Sequence, residues 1–201
     1  MCSSDLVYCT REVREDLTHG NPLFGVLEHF CGVDWHPIRP DGEESFQAGG
    51  SGVSFTAVAL KSKPPPYSPH RNEPRPGDNI GVRIVDERTG GTVFYAPGLA
   101  EIEPHLRPFL AEADCLMLDG TFWTDDELVR LGISGKRARD MGHLPQSGPG
   151  GMLEALKPLA ARKVLIHINN TNPILVEDSP ERAALEAAGI EVAYDGMEIE
   201  L

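Results

Sequence analysis

Lys163-Val-Leu-Ile-His-Ile-Asn-Asn-Thr-Asn-Pro173 is the stretch on which the reading of this chain turns. Its apolar start is short and β-branched, and it breaks at once into an Asn-rich turn, so Lys163–Ile168 reads as a buried strand. The amphipathic pattern of Gly150–Ala161 before it predicts a helix, giving a helix–strand unit of an α/β fold. Strands of such folds open their C-terminal ends onto a crevice where ligands bind. His167 stands at that end, where an imidazole can hold a metal, although a buried histidine bonded to backbone fits the same local pattern. Asn169, Asn170 and Asn172 beyond it are suited to orienting a polar substrate, or equally to forming Asx-turns.

Working outward, Cys115–Leu118 is a second short apolar strand, and it ends in Leu118-Asp-Gly-Thr-Phe-Trp123. Asp119 is there either a desolvated working carboxylate or a cap for the next turn. Thr124-Asp-Asp-Glu127 reads as a capping box that opens a helix. His143 lies in Asp140-Met-Gly-His-Leu-Pro145, where Gly142 permits close backbone approach and Pro145 stiffens the exit. Such a histidine can serve as ligand, general acid or substrate donor, or can simply face solvent. Asp119, His143 and His167 are thus expected to converge on one rim. Tyr95, ahead of Pro97-Gly98, ends another strand and is expected to line the same cleft.

The remaining pattern mixes hairpins with strand–helix–strand units. Val7–Thr10 reads as a strand and a helix begins near Arg11, while Asn21-Pro22 opens a helix through Phe30. Val33–Ile38 is a strand around Trp35, and Val53, Phe55, Ala57 and Ala59 share one face of another. Lys61–Gly77 holds Pro64, Pro65, Pro66, Pro69, Pro74 and Pro76 and is too poor in N–H donors for a central ladder, so it is an extended loop. His70 within it is placed on a lid or a surface loop. Asn79–Asp86 and Thr92–Tyr95 flank the tight turn at Gly90-Gly91. Ile102–Ala111 reads as a helix. Ser179-Pro180-Glu181 caps the last helix, which ends at Gly189, and Ile190–Tyr194 and Met197–Leu201 form a hairpin about Asp195-Gly196. The fold class is α/β, with a mixed sheet and helices packed outside.

Bulk properties narrow the function. A chain of 201 residues that is 40% hydrophobic and 24% charged can bury a core. Its net charge of −13 would repel a phosphate backbone, which excludes nucleic acid as the expected partner. No apolar run approaches the roughly 18–20 residues that span a bilayer, and no signal pattern is evident, so a membrane is not an expected partner and the cytosol is the expected compartment. Cys2, Cys9, Cys31 and Cys115 lack CxxC spacing. No Gly-rich phosphate cradle, GxSxG or HExxH motif occurs. Met1–Leu6 carries a pentapeptide that a common sequencing adapter encodes in one frame. Residues 1–6 are accordingly read as a non-native start, and 7–201 as the C-terminal portion of one domain.

Taken together, Lys63–Gly81 (KPPPYSPHRNEPRPGDNIG), Leu118–Trp123 (LDGTFW), Met141–Gly151 (MGHLPQSGPGG), His167–Leu175 (HINNTNPIL) and Ala193–Leu201 (AYDGMEIEL) resemble the pyrroloquinoline quinone biosynthesis B family. The resemblance implies a metallo-β-lactamase-like αββα sandwich with mixed sheets, whose last metal-ligand histidine matches His167 and whose Gly-His loop matches His143. The bridging aspartate of hydrolytic relatives has no counterpart in Val93-Phe-Tyr-Ala-Pro-Gly98. That departure weakens a two-zinc hydrolase mechanism and suits a single-metal oxygenase. The implied activity is iron- and oxygen-dependent hydroxylation of the tyrosine ring in a cross-linked Glu–Tyr intermediate. The alternative is a carrier of pyrroloquinoline quinone or its precursor to the periplasm. On this reading His167 holds the metal, Fe(II) or else zinc, with His143 and Asp119 catalytic and Asn169, Asn172 and Tyr95 contacting substrate. A small peptide-derived substrate and other enzymes of the pathway are the implied partners. The family's early cysteine-rich zinc segment and Asp–His ligand pair are not found in this sequence. The polypeptide as written is therefore expected to bind metal weakly, to be inactive alone, and to expose core surface that favours aggregation.

Overall fold

Among the described residues, nine strands are laid down in chain order, and seven of them join one sheet in that same order. The computed structural model describes residues 5–201; Met1–Ser4, most of the stretch read as a non-native start, lie outside the described residues. β1 (Asp5–Cys9) pairs in parallel with β2 (Val33–Pro37) as a separate ribbon, Val7 opposite Trp35. Thr10, expected inside the first strand, instead caps α1 (Arg11–Glu15): its hydroxyl accepts from Val13 N–H at 3.2 Å and donates to the Gly77 carbonyl at 2.8 Å. A π-turn over Asp16–Gly20 follows, closed by Asn21 N–H on the Asp16 carbonyl at 2.8 Å. Asn21 therefore belongs to that turn and does not cap the next helix. α2 (Leu23–Leu27) starts at Pro22 without a side-chain cap and is shorter than the expected run to Phe30.

The large sheet divides into two halves. β3 (Asp41–Gln47), β4 (Val53–Ala59), β5 (Ile80–Asp86) and β6 (Thr92–Ala96) are antiparallel neighbours. β7 (Cys115–Asp119), β8 (Arg162–Ile166) and β9 (Ile190–Val192) extend it in parallel from β6. Parallel pairs need crossovers, and these carry the helices. They are α3 (Arg107–Glu112), the short α4 (Glu127–Arg130), α5 (Ala138–Met141) and α6 (Met152–Leu156), and α7 (Pro180–Ala187). Phe94, Leu116, Leu118 and Leu165 project from the strands into one core with Leu106, Leu110, Leu156, Ile174 and Leu185. The alternate residues Cys115, Val164 and Ile166 face the other side and form a smaller cluster with Val93, Met117, Met197 and Ile199. At the antiparallel end of the sheet, Tyr8 stacks on Phe46, which stacks on Phe55, so the β1–β2 ribbon rests on that second side.

Five further local readings are corrected. β3, not foreseen, is an edge strand of mostly exposed polar residues with no apolar alternation to betray it. The Thr124 capping box does not form, because α4 begins after Asp126 and Glu127 turns inward, its Oε2 accepting from Trp123 N–H at 2.8 Å. Gly150–Ala161 is helical only over Met152–Leu156, and Ile102–Ala111 resolves into a 3-10 turn at Pro104–Leu106 followed by α3. Met197–Leu201 pairs with no strand: after Tyr194 the chain turns, and Met197 and Ile199 lie over the second face of the sheet. No helix of the described residues is long and apolar enough to cross a membrane.

Candidate metal centre

Three loops meet where the parallel strands end. The first leaves β7 through Gly120, whose N–H donates to the Ile166 carbonyl at 2.7 Å; a Cβ there would lie 2.9 Å from that same oxygen, so the approach of the two strand ends requires glycine. The second contains Gly142, at φ +91°, which closes α5 against the start of the Pro-rich loop. Ser62 Oγ donates to the Gly142 carbonyl at 2.8 Å, and a Cβ on Gly142 would stand 2.6 Å from Lys63 N. The third begins at His167, in the left-handed region at φ 55°, a conformation that non-glycine residues adopt at some energetic cost and that is concentrated at functional sites. Cross-links fix the loops to one another: Gln146 N–H to the Phe122 carbonyl at 3.0 Å, Ser147 N–H to that of Trp123 at 2.9 Å, and Asn169 N–H to that of Thr121 at 3.1 Å.

Asp119 lies at the centre with no exposed surface. Its Oδ2 accepts from Leu99 N–H at 2.9 Å and lies 2.7 Å from His143 Nδ1; its Oδ1 accepts from Thr121 N–H at 3.0 Å and from the Thr121 hydroxyl. The Tyr95-Ala-Pro-Gly98 stretch that ends β6 lacks a carboxylate, and the residue after it, Leu99, contributes a backbone donor to Asp119. His167 Nδ1 is 3.8 Å from Asp119 Oδ1 and 2.9 Å from Thr121 Oγ1. Burial by itself would raise the Asp119 carboxyl, but the hydrogen bond from His143, the neighbouring His167 and the Leu99 amide together hold it below its ordinary value. The Asp119 carboxylate in turn raises His167, with partial burial opposing. The two imidazoles tilt at 31° with centroids 5.4 Å apart, and Phe122 meets His143 edge-on.

One ligand atom from each of Asp119, His143 and His167 lies within 4.8 Å of the others, close enough for the three to share an ion with small movements. The donors are unequal. Both carboxylate oxygens already accept two hydrogen bonds, whereas the His167 side chain is 54% exposed and uses its Nδ1 inward, leaving Nε2 to the open side. The three residues expected to converge are therefore together. The others lie around them. Asn172, 2% exposed, donates to the Gly120 carbonyl at 2.9 Å and accepts from Ile174 N–H at 3.2 Å, so its amide is a strut beneath the loops with little surface for a ligand. Asn169 donates to Thr171, which donates to Glu127. Tyr95 pairs with Met117 and so stands on the sheet face that carries Asp119, but below the strand ends, with no hydrogen bond to the trio among the described residues. His70 faces Glu15 at 3.5 Å. Thr121 and Glu127 were missed by sequence reasoning. A hydroxyl two residues beyond a strand-end carboxylate was the available signal for Thr121.

Comparison with known proteins places the chain in a family. A family profile described as the β-lactamase superfamily domain matches residues 2–168. Coenzyme PQQ synthesis protein B of Methylobacillus flagellatus is 61% identical over 195 residues, covering 96% of this chain and 64% of that protein. The protein of the same description from Azoarcus sp. is 60% identical over 197 residues, with 97% and 64% covered. The chain thus spans just under two thirds of the length of these relatives. Among solved structures, that of Zn(2+)-bound PqqB from Methylobacterium extorquens superposes with a TM-score of 0.85 at 30% identity, over 98% of this chain and 65% of the other.

Proposed function

Because the chain belongs to the β-lactamase superfamily, with a metallo-β-lactamase-like fold, and matches the coenzyme PQQ synthesis B proteins along nearly its whole length, we propose that it serves pyrroloquinoline quinone biosynthesis through a metal-dependent site at Asp119, His143 and His167. The observation that carries this reading is the exposed His167 imidazole, anchored through Nδ1 and facing outward through Nε2 at the rim where β7 and β8 end. The solved relative holds zinc, and the donor set of imidazole and carboxylate suits zinc or iron alike. Such an ion, when bound, would supply Lewis acidity and, if it is Fe(II), oxygen chemistry.

The reaction we assign is hydroxylation of the tyrosine ring of a cross-linked Glu–Tyr intermediate. One atom of O₂ enters a ring C–H bond and the other leaves as water, with two electrons from an added reductant. The chain's own groups have separable roles. His167 holds the ion. His143, with its Nδ1 hydrogen on Asp119, presents an Nε2 lone pair and takes the phenolic proton of the substrate as it orients the ring. Asp119 stays ionised and fixes both imidazoles. The Asn169–Thr171 turn borders the cleft with polar groups suited to a small peptide-derived substrate. Other pathway enzymes would deliver that substrate and take the product.

The test is an anaerobic incubation of the chain, with the full-length Methylobacillus relative in parallel, with Fe(II), reductant and the cross-linked Glu–Tyr compound, followed by admission of oxygen. Mass spectrometry should show one added oxygen atom with the full-length relative, dependent on iron and lost when its counterpart of His167 is replaced by alanine, whereas the 201-residue chain alone should form little or none. Product formed equally without metal would overturn the assignment. Iron-independent retention of the quinone without turnover would instead support a carrier.

A further inference from the structure

We propose that the Thr121 hydroxyl is a positioning group that carries the influence of Asp119 to His167 and so holds that imidazole with hydrogen on Nδ1 and Nε2 bare. The proposal deepens the reading of His167 as a metal donor, but the proton arrangement itself needs no metal.

Thr121 Oγ1 lies within hydrogen-bond reach of Asp119 Oδ1, of the His167 carbonyl at 2.9 Å, of His167 Nδ1 at 2.9 Å and of His143 Nδ1 at 3.1 Å. A hydroxyl has one proton to give and two lone pairs to receive. The carboxylate and the carbonyl can only accept, so the proton points toward them, chiefly to the charged Asp119 oxygen. The opposite arrangement, with Thr121 donating to His167 Nδ1, would press the hydroxyl and carboxylate lone pairs together with no proton between them, and both Asp119 and Thr121 are buried. His167 must then bring its own hydrogen to Thr121 on Nδ1. At 3.8 Å the carboxylate is too far from His167 to impose this directly, so the choice passes through the hydroxyl. His143 needs no such relay, because its Nδ1 contacts Asp119 Oδ2 at 2.7 Å. One carboxylate thus orients two histidines by two routes, and only one route runs mainly through Thr121.

That asymmetry gives the experiment its internal control. The 201-residue chain, labelled with ¹⁵N-histidine and free of metal, is studied by long-range imidazole NMR well above the ordinary imidazole pKa of about 6.5. Wild type should show His143 and His167 both protonated at Nδ1. Thr121→Val, which keeps the shape and removes the hydroxyl, should shift His167 toward the Nε2–H tautomer and leave His143 in place; Thr121→Ser should restore the wild-type signature. A Zn²⁺ titration should then show binding weakened about tenfold or more in Thr121→Val and recovered in Thr121→Ser. If His167 keeps its tautomer in Thr121→Val, if both histidines shift together, or if serine fails to restore the pattern, the hydroxyl is not a positioning group. Should valine disturb the loops, the backbone amide spectrum reports it, and Thr121→Ala provides the second hydroxyl-free variant. Zinc that leaves the wild-type His167 signals unmoved would count against the metal reading while the tautomer comparison still decides the role of Thr121.

Discussion

At the scale of single residues the site is organised by a charge with nowhere to go. Asp119 has no exposed surface, and a buried carboxylate persists only when its oxygens are met by donors, which Leu99, Thr121 and His143 provide. Asp119→Asn keeps the volume but removes the charge that orders those donors. It should cost about 3 kcal/mol of stability near neutral pH, within the range seen when a buried charge pair loses one partner. Because the folded-state carboxyl is held below its unfolded value near 3.9, the stabilisation is fully present above that value and disappears as pH falls through the lower folded-state one. Urea denaturation of wild type and variant should therefore give a gap that widens as pH falls from neutral, because the same carboxylate raises His167 and favours its protonated form, and that closes only in strong acid. A gap that stayed open in strong acid, or that narrowed as His167 took up its proton, would contradict the ionised carboxylate. Asp119, His143 and His167 were legible from their places in the chain, since strand ends and a Gly-His loop are where such residues work. Thr121 was not, because its meaning lies in distances to three partners that are distant in sequence or hidden in a turn.

At the scale of elements, what the sequence revealed followed from how strongly each segment was patterned. The strands β4 to β8 and the Gly90-Gly91 turn were readable because alternation or a continuous apolar run marks a buried strand on its own. β3 escaped because Asp41-Gly-Glu-Glu-Ser-Phe-Gln47 is an edge, selected for polarity and not for core packing. Thr124-Asp-Asp-Glu127 matched a capping box and was not one: Glu127 is drawn inward by Trp123 N–H and the Thr171 hydroxyl, so tertiary contacts overrode a local motif. The same tertiary tightness makes Gly142 a sensitive hinge of the site. Gly142→Ala would put a methyl group 2.6 Å from Lys63 N in a left-handed conformation, and the loop must move to admit it. We expect about 2–3 kcal/mol of lost stability and a displaced His143, visible as loss of its Nδ1–H signal from the Asp119 hydrogen bond. Normal stability with an unchanged His143 signal would show that the junction with the Pro-rich loop is looser than the contacts imply.

At the scale of the molecule, the two faces of the seven-stranded sheet are covered very differently. Helices seal one face, where Phe94, Leu116 and Leu156 are wholly buried. On the other, the β1–β2 ribbon covers only the antiparallel end, and over the parallel half the cover is the C-terminal tail, with Met197 and Ile199 against Cys115, Val164 and Ile166. The resemblance pointed to a sandwich, but the tail's part in it was misread, because Met197 and Ile199 alternate as a strand would and only the structure shows them crossing a face. A chain ending at Gly196 tests whether the tail is a true part of the core. Losing two half-buried apolar side chains should lower stability by about 2–3 kcal/mol and, by opening an apolar face, promote self-association in sedimentation. Cys115 supplies the direct probe. It has no exposed surface, and burial pushes its thiol pKa up, with the cation of Arg162 opposing, so it should resist thiol reagents in the intact chain. In the shortened chain, peptide mapping should find Cys115 labelled far faster. If it stays as inert as before while stability is unchanged, the tail is only an appendage, and the strands beneath it are protected by other means.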